Sequence, residues 1–160
     1  MANAGVVGVY FERGGSKLVG RLFLAQGDEN ENEPRPTAVW LHGIPGIEQN
    51  HDLAIYFRER GWNSLIFHYR GCWGSEGDYD IRTIPEDITA AFDYLCSGAF
   101  PQIDTDRLIL GGHSLGGWAT VFAGAQEPRA KALISMGGLM IPQWMPMIVS
   151  ISSGRCHEKP

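Results

Sequence analysis

Residues 112–116 of this 160-residue chain read Gly-His-Ser-Leu-Gly and lie between an apolar run and a stretch of small residues. The run at 107–110 is typical of a β-strand, and residues 118–123 can form a helix. A serine at such a strand-to-helix turn is held in strained backbone geometry and needs small neighbours, which the surrounding glycines supply. The segment therefore predicts a nucleophile elbow centred on Ser114. The alternative interpretation is a glycine-rich turn that contains an incidental serine.

Length and composition favour one globular domain. Hydrophobic residues make up 44% of the chain and charged residues 19%, which is typical of folded proteins rather than disordered ones. The formal charge is −5 with no clustered Lys/Arg face, so we expect no nucleic-acid partner. Three widely spaced cysteines form neither a zinc spacing nor a disulfide framework, and nothing near Met1 is typical of a signal peptide. These features predict a cytoplasmic protein.

Residues 132–154 contain no charged side chain and are nominally long enough to span a bilayer. Gly137, Gly138, Pro142 and Pro146 interrupt the segment, however, and a helix broken in this way would leave backbone groups without partners in lipid. We therefore expect a buried strand followed by an apolar loop, and no membrane span.

The remaining hydrophobic pattern alternates between strand and helix periods. It predicts a hairpin of strands 6–11 and 17–24, strands at 37–41, 64–69, 107–110 and 132–136, and helices at 52–60, 84–96 and from the elbow to 127. An initial hairpin followed by alternating strands and helices indicates an α/β fold with a largely parallel sheet.

The order of these parts resembles the N-terminal portion of an α/β-hydrolase: a hairpin, a strand ending in His-Gly at 42–43, a strand ending in Tyr-Arg-Gly at 69–71, and the serine elbow. The loop 69–79 is most similar to serine esterases and prolyl-oligopeptidase-like hydrolases. The resemblance implies a mostly parallel sheet with flanking helices over residues 1–138, truncated after the sixth strand. Residues 139–160 look like the apolar start of a cap followed by a divergent tail.

The resemblance also implies roles for matching residues. Ser114 matches the nucleophile that attacks an ester or amide carbonyl and forms an acyl-enzyme. The backbone N–H groups of Leu115 and Ile44 match the two donors of an oxyanion hole. His42 corresponds to a residue that braces the loop. The family needs no cofactor and acts on small-molecule esters or peptide-like substrates.

The histidine and acid that would complete a triad with Ser114 are not recognisable. After the serine, the candidate side chains are Glu127, His157 and Glu158. Glu127 lies about thirteen residues along the elbow helix, which at ~1.5 Å per residue is roughly 20 Å away. Glu158 follows His157, the reverse of the family's order, and His157 lies in the tail.

Two functions from different classes therefore remain open. The first is a serine hydrolase of the esterase or peptidase type, present here as a fragment or isoform. The second is a catalytically silent, truncated chain that acts as an interaction module and self-associates through the exposed edge of the strand at 132–136.

Other patterns indicate neither a cofactor nor a metal. The glycines at 71, 74 and 77 do not have the dinucleotide-binding spacing. The acidic residues Asp78, Asp80, Glu86 and Asp87 are read as charges favoured at helix starts.

Overall fold

A computed structural model describes residues 5–25, 33–44 and 50–138. Its six strands are β1 (Val6–Arg13), β2 (Ser16–Phe23), β3 (Arg35–Leu41), β4 (Asn63–Phe67), β5 (Ile103–His113) and β6 (Ala130–Met136). Its helices are α1 (His51–Arg58), α2 (Ile84–Leu95), preceded by a 3₁₀ turn at Ile81–Thr83, and α3 (Leu115–Gly124).

The strands form one mixed, mostly parallel sheet in the order β1-β2-β4-β3-β5-β6. The β1–β2 and β2–β4 pairs are antiparallel, and the β4–β3, β3–β5 and β5–β6 pairs are parallel. Every residue of β4 is buried, as is expected of a strand whose two faces are both covered. The predicted α/β class, the initial hairpin and the α/β-hydrolase-type sheet are confirmed.

Each face of the sheet has its own apolar layer. On one face α1 covers Trp40, whose ring lies 4.9 Å from that of Phe57 in an edge-to-face arrangement. The buried indole N–H of Trp40 donates to Ser64 Oγ at 3.3 Å. On the other face α2 and α3 pack on the sheet through fully buried side chains such as Phe92 and Leu110. This second layer fixes the position of α3 and hence of the residue that precedes it.

The first turn of α3 lies against the end of β3. A Cβ atom built on Gly116 would lie 2.2 Å from the carbonyl oxygen of Leu41, and one on Gly112 would lie 2.5 Å from the backbone of Gly116. These distances are shorter than any van der Waals contact allows, so the turn between β5 and α3 can close only where side chains are absent. The glycines predicted around the elbow are required for this reason.

Several element ends differ from the sequence-based prediction, and the largest difference is in β5, which spans Ile103–His113 rather than residues 107–110. β3 begins at Arg35 rather than at residue 37, because the Arg35 N–H donates to the Gln102 carbonyl at 2.8 Å. α3 ends at Gly124 rather than Glu127, because the N–H groups of Gln126 and Glu127 bond three residues back instead of four. β6 is the last described strand of the sheet, and the predicted cap start and tail at 139–160 lie outside the described residues.

Replacing Gly116 with alanine tests the close approach of α3 to β3. We expect Gly116→Ala to lower the free energy of unfolding by about 3 kcal/mol, because neither backbone can move away without disrupting the sheet. Gly8→Ala is the control, since a Cβ there meets nothing within 4 Å and should change stability by less than about 1 kcal/mol. Urea unfolding followed by circular dichroism measures both, and equal stabilities of the two variants would contradict the packing argument.

Candidate active site

Ser114 occupies the junction between β5 and α3 in a backbone conformation that L-residues rarely adopt. Its φ is 56° and its ψ is −117°. The Ser114 N–H donates to the Met136 carbonyl at 2.9 Å, and the Ser114 carbonyl accepts from the Trp118 N–H at 3.0 Å. A strained residue persists only where its surroundings determine its conformation, and here bonds to β6 and α3 do so. The strand–serine–helix arrangement predicted for residues 112–116 is present.

The loop that follows β3 lies directly against this serine. A Cβ built on Gly43 would lie 3.2 Å from Ser114 Cβ and 3.6 Å from its Oγ. Ile44, the next residue, is exposed, and Leu115 is the first residue of α3. The first N–H groups of a helix have no acceptor within it. The structure thus brings Ser114, Leu115 and the Gly43–Ile44 loop together, while a role for the two N–H groups in an oxyanion hole stays a prediction.

His42 braces this loop from within the protein. Its Nδ1 lies 2.8 Å from the Gly43 carbonyl, and its Nε2 faces the Tyr69 N–H at 3.4 Å. A ring that donates from Nδ1 and accepts at Nε2 is neutral, and burial lowers the pKa of His42. The Tyr69 hydroxyl also donates to the His42 carbonyl at 3.2 Å. Since both ring nitrogens are used by the backbone, His42 is not placed to act as a base toward Ser114.

Among the residues that the structure describes, no hydrogen bond joins the Ser114 hydroxyl to a histidine or a carboxylate. Glu127 is buried, and its Oε1 and Oε2 accept from Arg129 at 2.6 and 2.7 Å, so its carboxylate is already paired. His113 is exposed, and its ring lies beside Gly137. The remaining candidates, His157 and Glu158, lie outside the described residues.

A cavity of about 340 Å³ adjoins the loop that contacts Ser114. Gly43 and Ile44 form one side of it, and the loop after β4 forms the other. The full lining is His42, Gly43, Ile44, Gly71, Cys72, Trp73 and Tyr79. Because Gly43 lines the cavity and a Cβ built on it would lie 3.2 Å from Ser114 Cβ, the opening and the serine are neighbours.

The sequence analysis missed the ion pair that anchors the far side of the cavity. Asp87 is fully buried; its Oδ1 accepts from Arg70 Nε at 2.6 Å and its Oδ2 from the Arg70 backbone N–H at 3.0 Å. Arg70 also reaches Glu86 Oε2 at 2.9 Å. Burial raises the pKa of the Asp87 carboxyl, and the guanidinium of Arg70 opposes that shift. Asp87 lies three residues after Ile84 and four before Ala91 on the apolar stripe of α2, a spacing that could have indicated burial.

Within residues 5–25, 33–44 and 50–138, no group of three His, Cys, Asp or Glu side chains could hold a metal ion, and no helix is long and apolar enough to cross a membrane. Cys72 is a free thiol, whereas Cys96 is disulfide-bonded, although the spacing of the three cysteines did not indicate a disulfide framework. The cytoplasmic location stays a prediction.

No protein-family model matches the chain, but similar sequences and similar solved structures are found. Quorum-quenching protein AidA of Acinetobacter baumannii is 34% identical over 106 residues, which are 62% of this chain and 34% of AidA. The α/β hydrolase GrgF of Penicillium sp. sh18 superposes with a TM-score of 0.74 at 25% identity, covering 84% of this chain and 46% of GrgF. Est1E of Butyrivibrio proteoclasticus, solved with ferulic acid bound, superposes with a TM-score of 0.70 at 26% identity, covering 84% of this chain and 55% of Est1E. The chain thus spans a third to about half of the length of these proteins.

Removing the Asp87 carboxylate tests the buried ion pair. We expect Asp87→Ala to lower the free energy of unfolding by about 3 kcal/mol, because Arg70 would lose its main partner inside the protein. Asp93→Ala is the matched control: Asp93 binds Arg129 at 2.7 Å but is exposed, and its loss should cost at most about 1 kcal/mol. Chemical denaturation of both variants measures the difference, and an equally small loss for Asp87→Ala would contradict the assigned role.

The pH dependence of stability should report His68, which follows β4. Both of its ring nitrogens are buried without a hydrogen-bond partner among the described residues. Burial, and then the charges of His42, Arg21 and His51, lower its pKa to about 4. In the unfolded chain a histidine titrates near 6.5, so the unfolded state takes up the proton first and stability falls as the pH drops from about 6.5 to about 4.

Replacing His68 with asparagine should therefore reduce this loss of stability at low pH. The slope of the unfolding free energy against pH should decrease by the equivalent of up to ~one bound proton. A residual slope should remain, because burial also lowers the pKa of His42. Thermal unfolding of His68→Asn and the parent chain between pH 4 and 8 measures the effect. Identical slopes in the two proteins would show that His68 does not contribute.

Proposed function

We infer that this chain, which belongs to the α/β-hydrolase superfamily, is part of a serine hydrolase that cleaves ester or amide bonds through Ser114. The observation that carries the inference is the backbone of Ser114, at φ 56° and ψ −117° between a strand and a helix. Such strain costs about 1–3 kcal/mol at a non-glycine residue and is concentrated at functional sites. A turn with no catalytic role would be satisfied by glycine.

The proposed reaction follows from the groups around Ser114. As its Oγ bonds to the substrate carbonyl carbon, the hydroxyl proton passes to a base and the carbonyl oxygen becomes negative. The N–H groups of Leu115 and Ile44 would stabilise that oxygen, and each such donor is worth about 10²–10³ in rate. The alcohol or amine then leaves with a proton, and water releases the acyl group from the serine. No cofactor takes part in these steps.

The base is the component for which the described residues offer no candidate. His157, or a histidine of a second chain, would have to receive the proton from Ser114. Small-molecule esters and peptide-like substrates both fit the proposed chemistry. That Est1E was solved with ferulic acid bound favours a small molecule.

A second function is supported by the sheet edge. β6 pairs with β5 on one side, and in the part of the chain that the structure describes no strand pairs with its other side. An open parallel edge can add a strand from another molecule. A catalytically silent chain that self-associates through β6 is therefore the alternative, and the two functions are separated by whether Ser114 reacts.

Covalent labelling tests the proposed nucleophile. We expect the purified chain to gain one fluorophosphonate adduct, because an activated Ser114 Oγ displaces fluoride from phosphorus, and intact-mass spectrometry measures the gain. Ser114→Ala should show no adduct. Ser97→Ala, which removes an exposed hydroxyl at the end of α2, should label like the parent chain.

Folding of each variant is checked by circular dichroism before labelling. An adduct that persists in Ser114→Ala would disprove the assignment of the nucleophile. A folded parent chain that takes up no adduct would contradict the serine-hydrolase proposal for these 160 residues and favour the silent module, whose self-association light scattering would then detect.

A further inference from the structure

Large apolar side chains, which are usually buried in proteins, are exposed around the cavity beside Gly43. Among the described residues, seven large hydrophobic side chains are exposed, and three of them line this cavity: Ile44 at 64%, Trp73 at 57% and Tyr79 at 43%. Single exposed apolar residues are ordinary on protein surfaces, but a cluster around one concavity is typical of a binding site. The clustering indicates a ligand that buries these side chains.

The lining carries no formal charge at neutral pH. Burial lowers the pKa of His42, so its ring is neutral there. Burial and then the nearby Asp87 charge raise the pKa of the Cys72 thiol, so it too is neutral. The other lining side chains do not ionise near pH 7. A charged ligand group would lose its hydration in this cavity without gaining a counter-charge, and the site therefore favours an uncharged group.

The wall of the cavity that carries Trp73 and Tyr79 is preformed. The Gly71 N–H donates to the Glu76 carbonyl and the Cys72 N–H to the Tyr69 carbonyl, both at 3.0 Å. Gly71 has a φ of 71°, and a Cβ on it would lie 2.2 Å from the Tyr79 backbone nitrogen, so the loop closes tightly on itself. The buried Arg70–Asp87 pair holds the start of this loop to α2. A rigid wall can select a ligand by shape because little ordering is needed on binding.

We propose that this cavity binds an uncharged aromatic group attached to the scissile carbonyl of the substrate, and that Trp73 and Tyr79 determine which group is accepted. The proposal rests on the proposed function, since Gly43 places the cavity beside Ser114. Two aromatic side chains in the lining favour a flat ring, which stacks or packs edge-to-face against such side chains. A volume of about 340 Å³ accommodates a phenyl-sized acyl group and its carbonyl.

Binding is tested on the full chain carrying Ser114→Ala, which prevents any turnover. The probes are 2-phenylacetamide, its anionic isostere phenylacetate, and acetamide, which lacks the ring. Calorimetry should show saturable binding of 2-phenylacetamide, at least tenfold tighter than that of either other probe. Adding Trp73→Ala should weaken it about tenfold, as expected for the loss of an aromatic partner. Adding Tyr56→Ala, which removes an exposed aromatic side chain on α1, should leave it unchanged.

The free thiol of Cys72 gives a second readout at the same cavity. Saturating 2-phenylacetamide should slow alkylation of Cys72 by iodoacetamide, measured by peptide mass. Equal binding of phenylacetate, unchanged affinity in the Trp73→Ala variant, or unprotected Cys72 would each overturn the proposal. Fluorophosphonate labelling of Ser114 in the parent chain is a separate result. Labelling without binding of 2-phenylacetamide would support the serine-hydrolase proposal and contradict the proposal that the cavity binds an aromatic group.

Discussion

The contact between the first turn of α3 and the end of β3 is the constraint on which the rest of this structure depends. Gly116 lies so close to the Leu41 carbonyl that no side chain fits between them. This approach sets the end of β5, holds Ser114 in its strained positive-φ conformation and brings the Gly43 loop against the serine. Because backbone meets backbone, the geometry cannot relax by a change of rotamer. The geometry of the candidate site is therefore determined by the sheet rather than by a flexible loop.

Much of the fold could be predicted because its signals are local. Continuous apolar runs identified the buried strands, and the glycines around Ser114 identified the turn from β5 to α3. Asp87 lies in the first turn of α2 as predicted, but its burial was not predicted, because a carboxylate near a helix start is ordinarily a surface charge. Its burial depends on Arg70, seventeen residues earlier in the chain and brought near by folding. A pairing of this kind has no local sequence pattern.

The candidate site, too, has one part that the sequence predicts and another part that it does not. Ser114 and Leu115 are consecutive and follow from one motif, whereas the cavity requires residues from the loops after β3 and β4 to meet at one edge of the sheet. Trp73 and Tyr79 lie in the loop that carries the family resemblance, but the sequence does not show that they line a cavity, because an aromatic residue in a loop is as compatible with packing as with binding. Their exposure around one concavity becomes informative only in three dimensions.

The strain at Ser114 bears on the choice between the two functions. An interaction module that uses the β6 edge needs the sheet but gains nothing from a non-glycine residue at φ 56°. Glycine would remove a cost of about 1–3 kcal/mol without affecting β6. The His42–Gly43 hydrogen bond and the uncharged cavity beside it likewise have no role in pairing through the exposed edge of β6. The retained cost is therefore better explained by a reactive hydroxyl than by a docking surface.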